Sequence, residues 1–379
     1  FEGLYNSDRN RIVGHWIQNG GRFDLVLRRV AVAETKSILP PARPQTPRGP
    51  FSYRVEDVEF SGAGEGVRLA GTLTLPRMGR AFPVAVLISG SGPQDRDETI
   101  MEHKPFLVLA DHLTRQGIAV LRYDDRGVGA STGIFGQANS REFAADVEGA
   151  IVYLRSRSEI DPGRIGLIGH SEGGSIAPMV AARRDDVAWI VLLAGTGVPG
   201  DQILLNQAER IARAAGAPAA AITLNRRVQQ VVFAVIKGGG SPGEVRRAFD
   251  DFVATLEPEE QQHPIVAASR AEMSGLLEPW FRFFLTYDPA TALARVRCPV
   301  LVLNGSRDLQ VDPDLNLPAI RAALDKGGNE QYEIHRLPEL NHLFQQCQTG
   351  LPAEYRQIEQ TFDRRALDRI SKWVKSGRE

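Results

Sequence analysis

Residues 165–174 read Ile-Gly-Leu-Ile-Gly-His-Ser-Glu-Gly-Gly. The first five have the character of a buried strand, and residues 172–183 have helical periodicity. Between them stands G-x-S-x-G, from Gly169 to Gly173. A serine at so tight a strand-to-helix turn sits in strained backbone, and small residues two positions either side let the chain close on itself. The turn lifts the Ser171 hydroxyl above the sheet edge at a helix N-terminus. It also aims the backbone N–H of Glu172 where an oxyanion would form. The plainer reading is a glycine-rich turn with a capping serine. The bare pattern occurs by chance; its strand–turn–helix setting makes Ser171 a candidate nucleophile.

Outward from this turn, apolar strands alternate with helices. Strands are expected at 83–89, 118–123, 165–169, 188–194, 299–304 and 331–336. Helices are expected at 104–116, 142–157, 172–183, 315–325 and 354–376. That rhythm predicts an α/β fold, a mostly parallel sheet covered on both faces. Two further strands, 51–60 and 67–76, precede it, with Val67, Leu69, Leu73 and Leu75 alternating. From Gly195 to Arg297 the strand pattern stops. Residues 201–236, 243–256 and 265–285 have helical periodicity, punctuated by Gly238-Gly239-Gly240 and Pro258. This is far longer than an ordinary connection, and predicts a helical cap over 199–290, inserted between catalytic segments 51–198 and 291–379. Residues 38–50, with five prolines, read as an extended linker. Ahead of it, 11–17 and 22–30 read as strands joined by a hairpin turn at Asn19-Gly20-Gly21. Two strands alone are marginal, so residues 1–37 are expected to be part of a β-domain or to dock on the main body.

A nucleophilic serine needs a base, and the base an orienting acid. In this topology they follow in the order Ser, acid, His. His15, His103 and His112 precede the serine. His170 belongs to the turn, where its side chain should point away from Ser171. His263 falls in the cap and His335 within a strand. His342, in the loop LPELNHLFQ after the last strand, is the candidate base. After strand 299–304, LNGSRDLQVDP offers Asp308, Asp312 and Asp314. Asp308 comes first and is the candidate acid; Asp312 is its rival, with helix entry before Pro313 as the plainer role. The second oxyanion donor is expected in the loop Ser89-Gly90-Ser91-Gly92, from the N–H of Ser91 with Gly92 as rival. Asp124-Asp125-Arg126-Gly127 reads as an Asp–Arg pair bracing a loop, or, more sharply, as a second acid or substrate clamp. Gln94 to Glu98 supports the oxyanion loop or is a solvated charged loop.

Composition excludes several classes. Lys+Arg 45 against Asp+Glu 46 leaves a net charge of -1, without the basic excess of a nucleic-acid binder. No apolar run reaches the ~18 residues of a transmembrane helix. Two cysteines, Cys298 and Cys347, exclude a disulfide framework and the common cysteine-rich zinc modules. No HExxH and no phosphate-loop motif occurs, so no metal and no cofactor is expected. The chain starts at Phe1 with no signal-peptide pattern, which suggests a processed or truncated protein.

These motifs together resemble the α/β-hydrolase superfamily, and within it the bacterial carboxylesterases with a GSGPQDRDE-type loop (Gly90 to Glu98), a YDDRGVG-type loop (Tyr123 to Gly129) and a GHSEGG elbow (Gly169 to Gly174). NGSRDLQVDP and LNHLFQ resemble that family's acid and base loops. The resemblance runs from about Phe51 to Trp373 and is weakest through the cap. It implies an eight-stranded sheet with its second strand antiparallel, a helical cap, and triad roles for Ser171, Asp308 and His342. It also implies a small β-domain, of which only the end is present, and an exported protein; without export the compartment is cytoplasmic. The expected reaction is cofactor-free hydrolysis of a small-molecule ester through an acyl-enzyme. Aminopeptidase, amidase and thioesterase are rivals on the same fold, and a non-enzymatic ligand-binding scaffold is a rival from another class. Segment 276–285 is the most aromatic stretch. Its Trp280, Phe283 and Phe284 share one helical face and are expected to roof an apolar acyl pocket. Such a roof favours short to medium aliphatic esters, extending to soluble polyester oligomers if the cleft is open. Oligomeric state is not legible.

Overall fold

The computed structural model describes residues 2–6, 11–18 and 21–28 as backbone, and 41–273 and 278–376 in full. The hairpin residues Asn19 and Gly20, the start of the proline-rich stretch, and Leu276 and Leu277 of the aromatic segment lie outside the described residues. The chain divides into two compact units, Phe1–Ala42 and Arg43–Glu379.

In the smaller unit, strands β1 (Glu2–Asn6), β2 (Arg11–Gln18) and β3 (Gly21–Arg28) form an antiparallel sheet in the order β1-β2-β3. Gln18 stands opposite Gly21, the register of a two-residue hairpin. β1 has no counterpart in the sequence reading; five residues of mixed polarity carry little periodic signal.

The larger unit is built on eight strands: β4 (Arg54–Ser61), β5 (Arg68–Leu75), β6 (Phe82–Ile88), β7 (Ala119–Tyr123), β8 (Ile160–His170), β9 (Trp189–Leu193), β10 (Val300–Gly305) and β11 (Tyr332–Leu337). Their order is β11-β10-β9-β8-β6-β7-β5-β4. β5 runs antiparallel to both its neighbours and every other pairing is parallel, the arrangement the resemblance implied. β6, β7, β9 and β10 are buried along their whole length, which is why they read as unbroken apolar runs. Alternate residues feed two cores. Val84, Val86 and Ile88 join helices Ser140–Arg155, Gly173–Ala181 and Pro313–Lys326 on one face. Ala85 and Leu87 join helices Pro105–Arg115 and Arg364–Ser376 on the other.

Between β9 and β10 the described residues are helical, from Gly200–Ala214 through Ala219–Lys237, Pro242–Ala254, Pro258–Gln261, Pro264–Glu272 and Pro279–Thr286 to Ala290–Leu293. The expected helix 201–236 is broken at Gly216, whose φ is +78°, and Pro218. Leu224, Val228, Phe233, Phe249 and Phe281 give this insertion a core of its own.

Two other expectations change. The helix expected over 354–376 is split into Pro352–Tyr355 and Arg364–Ser376. Between them, Phe362 stacks on Phe344 at 5.5 Å and the Asp363 amide donates to the Phe344 carbonyl, so tertiary contacts hold this backbone out of a helix. The proline-rich stretch, from Arg43 on, belongs to the larger unit. Arg43 donates to the carbonyls of Met101, Arg356 and Ile358, and the Gln45 side chain bonds the backbone of Thr361 and Phe362.

Candidate active site

Ser171 follows the last residue of β8, near the middle of the sheet. Its φ is +53°, a left-handed conformation that costs a non-glycine residue on the order of 1 kcal/mol or more and persists only where the surroundings enforce it. They do so through close packing. A Cβ on Gly169 would stand 2.0 Å from the Gly173 carbonyl oxygen, and one on Gly173 would stand 2.2 Å from that of Ile88. The Ser171 amide donates to the Leu193 carbonyl at 2.9 Å, tying the turn to β9.

The acid and base loops leave the ends of β10 and β11. Asp308 is fully buried; its Oδ1 accepts from the amides of Gln310 at 2.8 Å and Val311 at 2.9 Å. Its Oδ2 lies 2.8 Å from His342 Nδ1. A carboxylate so held accepts a hydrogen bond from Nδ1–H and leaves Nε2 as the basic nitrogen. Ser171 and His342 line one cavity of about 220 Å³. Asp312 has the plainer role: it caps helix Pro313–Lys326 through the Asp314 amide and pairs with Arg210 of the insertion at 3.1 Å. Asp314 pairs with Arg336 near the surface.

Among the described residues, the amides of Ser91, Gly92 and Glu172 donate to no protein acceptor. Of the three, Ser91 lines the cavity beside Ser171. The loop that carries Ser91 is held from beneath. Asp125 accepts from the Ser89 hydroxyl and the Gln94 amide, each at 2.9 Å. Asp124 accepts from the Arg96 amide and guanidinium at 2.7–3.0 Å. The bracing expected of Asp124-Asp125-Arg126 is therefore present, but with different partners. Arg126 turns the other way, onto Asp146 at 2.8 Å. Burial, with the Glu172 and Glu98 carboxylates adding to it against those two hydrogen bonds, pushes Asp125 up to about 8.

The aromatic face of helix Pro279–Thr286 goes elsewhere than expected. Trp280, Phe283 and Phe284 are not among the residues lining the cavity at Ser171. Trp280 stacks on Phe284 at 5.2 Å and donates its indole N–H to the Glu172 carboxylate at 2.7 Å. Phe283 stacks on Tyr287 at 5.1 Å and lies beneath the Arg141 guanidinium. The same Glu172 oxygen accepts from the Ser140 hydroxyl at 2.6 Å. Burial raises the Glu172 pKa, while these two donors oppose that. The apolar wall of the cavity comes instead from Ile100, Met101, Leu343, Pro352 and Tyr355. These positions are not legible in the sequence, because apolar residues in short irregular segments carry no periodic signal.

The other histidines described in full have structural partners. His103 bonds Thr361 and the Tyr355 carbonyl, His112 bonds Ser371, His263 caps a helix and His335 pairs with Glu333. Burial pushes the Cys298 thiol up to about 12 and that of Cys347 up to about 11, so neither is a ready nucleophile. Among the described residues no group of three or more His, Cys, Asp or Glu is placed to hold a metal ion, and no helix is long and apolar enough to cross a membrane.

Comparison with known proteins bears on the whole. A model of the alpha/beta hydrolase family matches residues 85–350. Esterase EstD of Thermotoga maritima is 27% identical over 329 residues, which cover 86% of this chain and 68% of that protein. The uncharacterized protein YfhR of Escherichia coli is 30% identical over 171 residues, 42% of this chain and 57% of that one. Among solved structures, the esterase Pf2001 of Pyrococcus furiosus superposes with a TM-score of 0.52 at 16% identity, covering 90% of this chain and 98% of the other. The hypothetical protein PA2218 of Pseudomonas aeruginosa gives a TM-score of 0.53 at 19% identity, covering 88% and 96%. At these identities the superpositions speak to the fold alone.

Proposed function

Since this chain belongs to the alpha/beta hydrolase family, we propose that it is a serine carboxylesterase working through Ser171, His342 and Asp308. The reading rests above all on the 2.8 Å contact between His342 and a fully buried Asp308, beside a strained Ser171 on the same cavity. His342 Nε2 takes the Ser171 proton as Oγ attacks the ester carbonyl. Asp308 holds the imidazole and stabilises it once charged. The amides of Glu172 and Ser91, or of Gly92 in its place, receive the oxyanion. His342 then gives its proton to the leaving alcohol, and water repeats the sequence on the acyl-enzyme.

At about 220 Å³ the cavity is smaller than the ~300–1,000 Å³ of pockets for drug-sized ligands, and an apolar wall of Ile100, Met101 and Leu343 supports short acyl groups. The carboxylate that lines it, Glu98, is already engaged by the Gly90 amide and His170, each at 2.8 Å. That argues against a site that captures a substrate amine, and so favours esterase over aminopeptidase. The helical insertion acts as a cap that reaches the elbow through Trp280. In the proposed test, a fluorophosphonate probe labels Ser171 in the native protein, and Ser171→Ala loses both labelling and hydrolysis of short nitrophenyl esters. Anilide and thioester analogues react far more slowly. Labelling at another residue, or anilides cleaved as fast as esters, overturns the reading.

A further inference from the structure

His170 and Glu98 form a buried titratable pair that the triad mechanism does not use. Both side chains are almost wholly buried. His170 Nδ1 lies 2.8 Å from Glu98 Oε1, and that same oxygen accepts the Gly90 amide at 2.8 Å. On the other side of the ring, Nε2 lies 3.0 Å from the backbone carbonyl of His342. A carbonyl only accepts, so Nε2 carries a proton. With Glu98 as a carboxylate, the oxygen that accepts the Gly90 amide accepts from Nδ1 as well, and Nδ1 then carries the second. The ring lies 4.8 Å from that of His342, centroid to centroid. Glu98 is held in a left-handed conformation, φ +53°, like Ser171, and Phe344 two residues beyond the base has φ +60°.

We propose that His170 is a positioning residue: a doubly protonated imidazole, paired with Glu98, that clamps the oxyanion loop at Gly90 to the base loop at His342. The groups that face it are Glu98 from the oxyanion loop, Asp308 beyond His342 from the acid loop, and the His342 ring itself. Burial works against its charge, yet the Glu98 carboxylate, the His342 carbonyl and Asp308 outweigh it and hold the imidazole above its ordinary value. Because Glu98 neutralises it, the clamp fixes geometry without adding net charge beside a base that must itself become cationic. A carboxylate and a carbonyl reached from one ring set two loops against each other, and the oxyanion donors and the base then keep their spacing as substrate enters.

This inference rests on the triad reading, and the experiment separates the two. In protein carrying ¹⁵N-labelled histidine, both His170 ring nitrogens are expected to be protonated at about pH 8, where an ordinary imidazole, with a pKa of about 6.5, is neutral. The signals are assigned by their loss in His170→Gln or His170→Asn. Glu98→Gln is expected to remove the second proton and to lower kcat on the order of 10–100-fold, with KM changed by less than about 3-fold. A bare ring nitrogen on His170 at about pH 8 overturns the clamp with no variant needed. So does a Glu98→Gln protein with unaltered kcat. If the fluorophosphonate probe still labels Ser171 in those cases, only the clamp has failed; if it bypasses Ser171, the triad reading has failed.

Discussion

Replacing Asp125 by Asn should make the protein more stable, and increasingly so as the pH rises. Asp125 is a partly buried carboxyl that accepts from the Ser89 hydroxyl and the Gln94 amide. Burial foremost, with Glu172 and Glu98 nearby, moves its pKa from 3.8 to about 8. In the unfolded chain it returns to its ordinary value. Between about pH 4 and about pH 8 the native state therefore binds one proton more than the unfolded state. Stability falls as pH rises across that window, by about 1.4 kcal/mol per pH unit, and the loss is complete above the folded pKa. Asn keeps both contacts, its Nδ2–H toward the Ser89 oxygen and its Oδ1 toward the Gln94 amide, and has no proton to lose. The gain of Asp125→Asn over the native protein should thus grow by about 4 kcal/mol between about pH 5 and about pH 8. Urea denaturation of both proteins across that range measures it directly, given equal m-values. A difference that stays constant with pH would refute the reasoning, since it would mean the carboxyl is ionised throughout.

Four other substitutions test the site from different sides. Asp308→Asn should cut kcat by on the order of 10⁴-fold by favouring the wrong imidazole tautomer. Asp312→Ala, which removes a helix cap, should instead lower stability by about 1 kcal/mol with kcat nearly intact; the reverse pattern in ester turnover and denaturation would exchange their roles. Gly169→Ala should abolish turnover or folding, because its methyl would meet the Gly173 carbonyl at 2.0 Å. A folded, active variant in circular dichroism and ester assays would show that the turn is looser than described. Trp280→Phe keeps the stacking on Phe284 but removes the donor to Glu172. It should lower unfolding free energy by about 1 kcal/mol, since Ser140 still serves the same oxygen; no change in urea midpoint would mean that this contact does not hold the elbow.

What the sequence reveals about this protein is local. Ser171, Asp308 and His342 each sit in a short segment whose turn chemistry and position after a strand are visible without any partner, and the buried strands announce themselves as apolar runs. Long-range pairing is not visible in this way. Asp124 and Arg126 look like natural partners two residues apart, yet their side chains diverge, and Arg96 and Asp146 take them instead. His170 could be read as turning away from Ser171, but nothing in the elbow names Glu98, 72 residues earlier, as what it turns toward. The face shared by Trp280 and Phe284 was legible as a helical stripe; the contact of Trp280 with the Glu172 carboxylate at the elbow was not. The break at 356–363 arises from Gln45 and Phe344 capturing that backbone, which no local propensity encodes.

The hold that Arg43 and Gln45 take on the larger unit bears on where this chain can be cut. The Arg43 guanidinium reaches the carbonyls of Met101, Arg356 and Ile358, and Met101 and Tyr355 stand on the wall of the cavity beside Ser171. A shortened protein that begins at Phe51, where the first strand pattern of the sheet starts, would keep all eight strands of that sheet and Ser171, Asp308 and His342. It would also lose the contacts that tie the two sides of that cavity wall together. A shortened form that keeps this hold therefore begins ahead of Arg43, and the prolines that make this stretch look like a spacer stiffen a buckle.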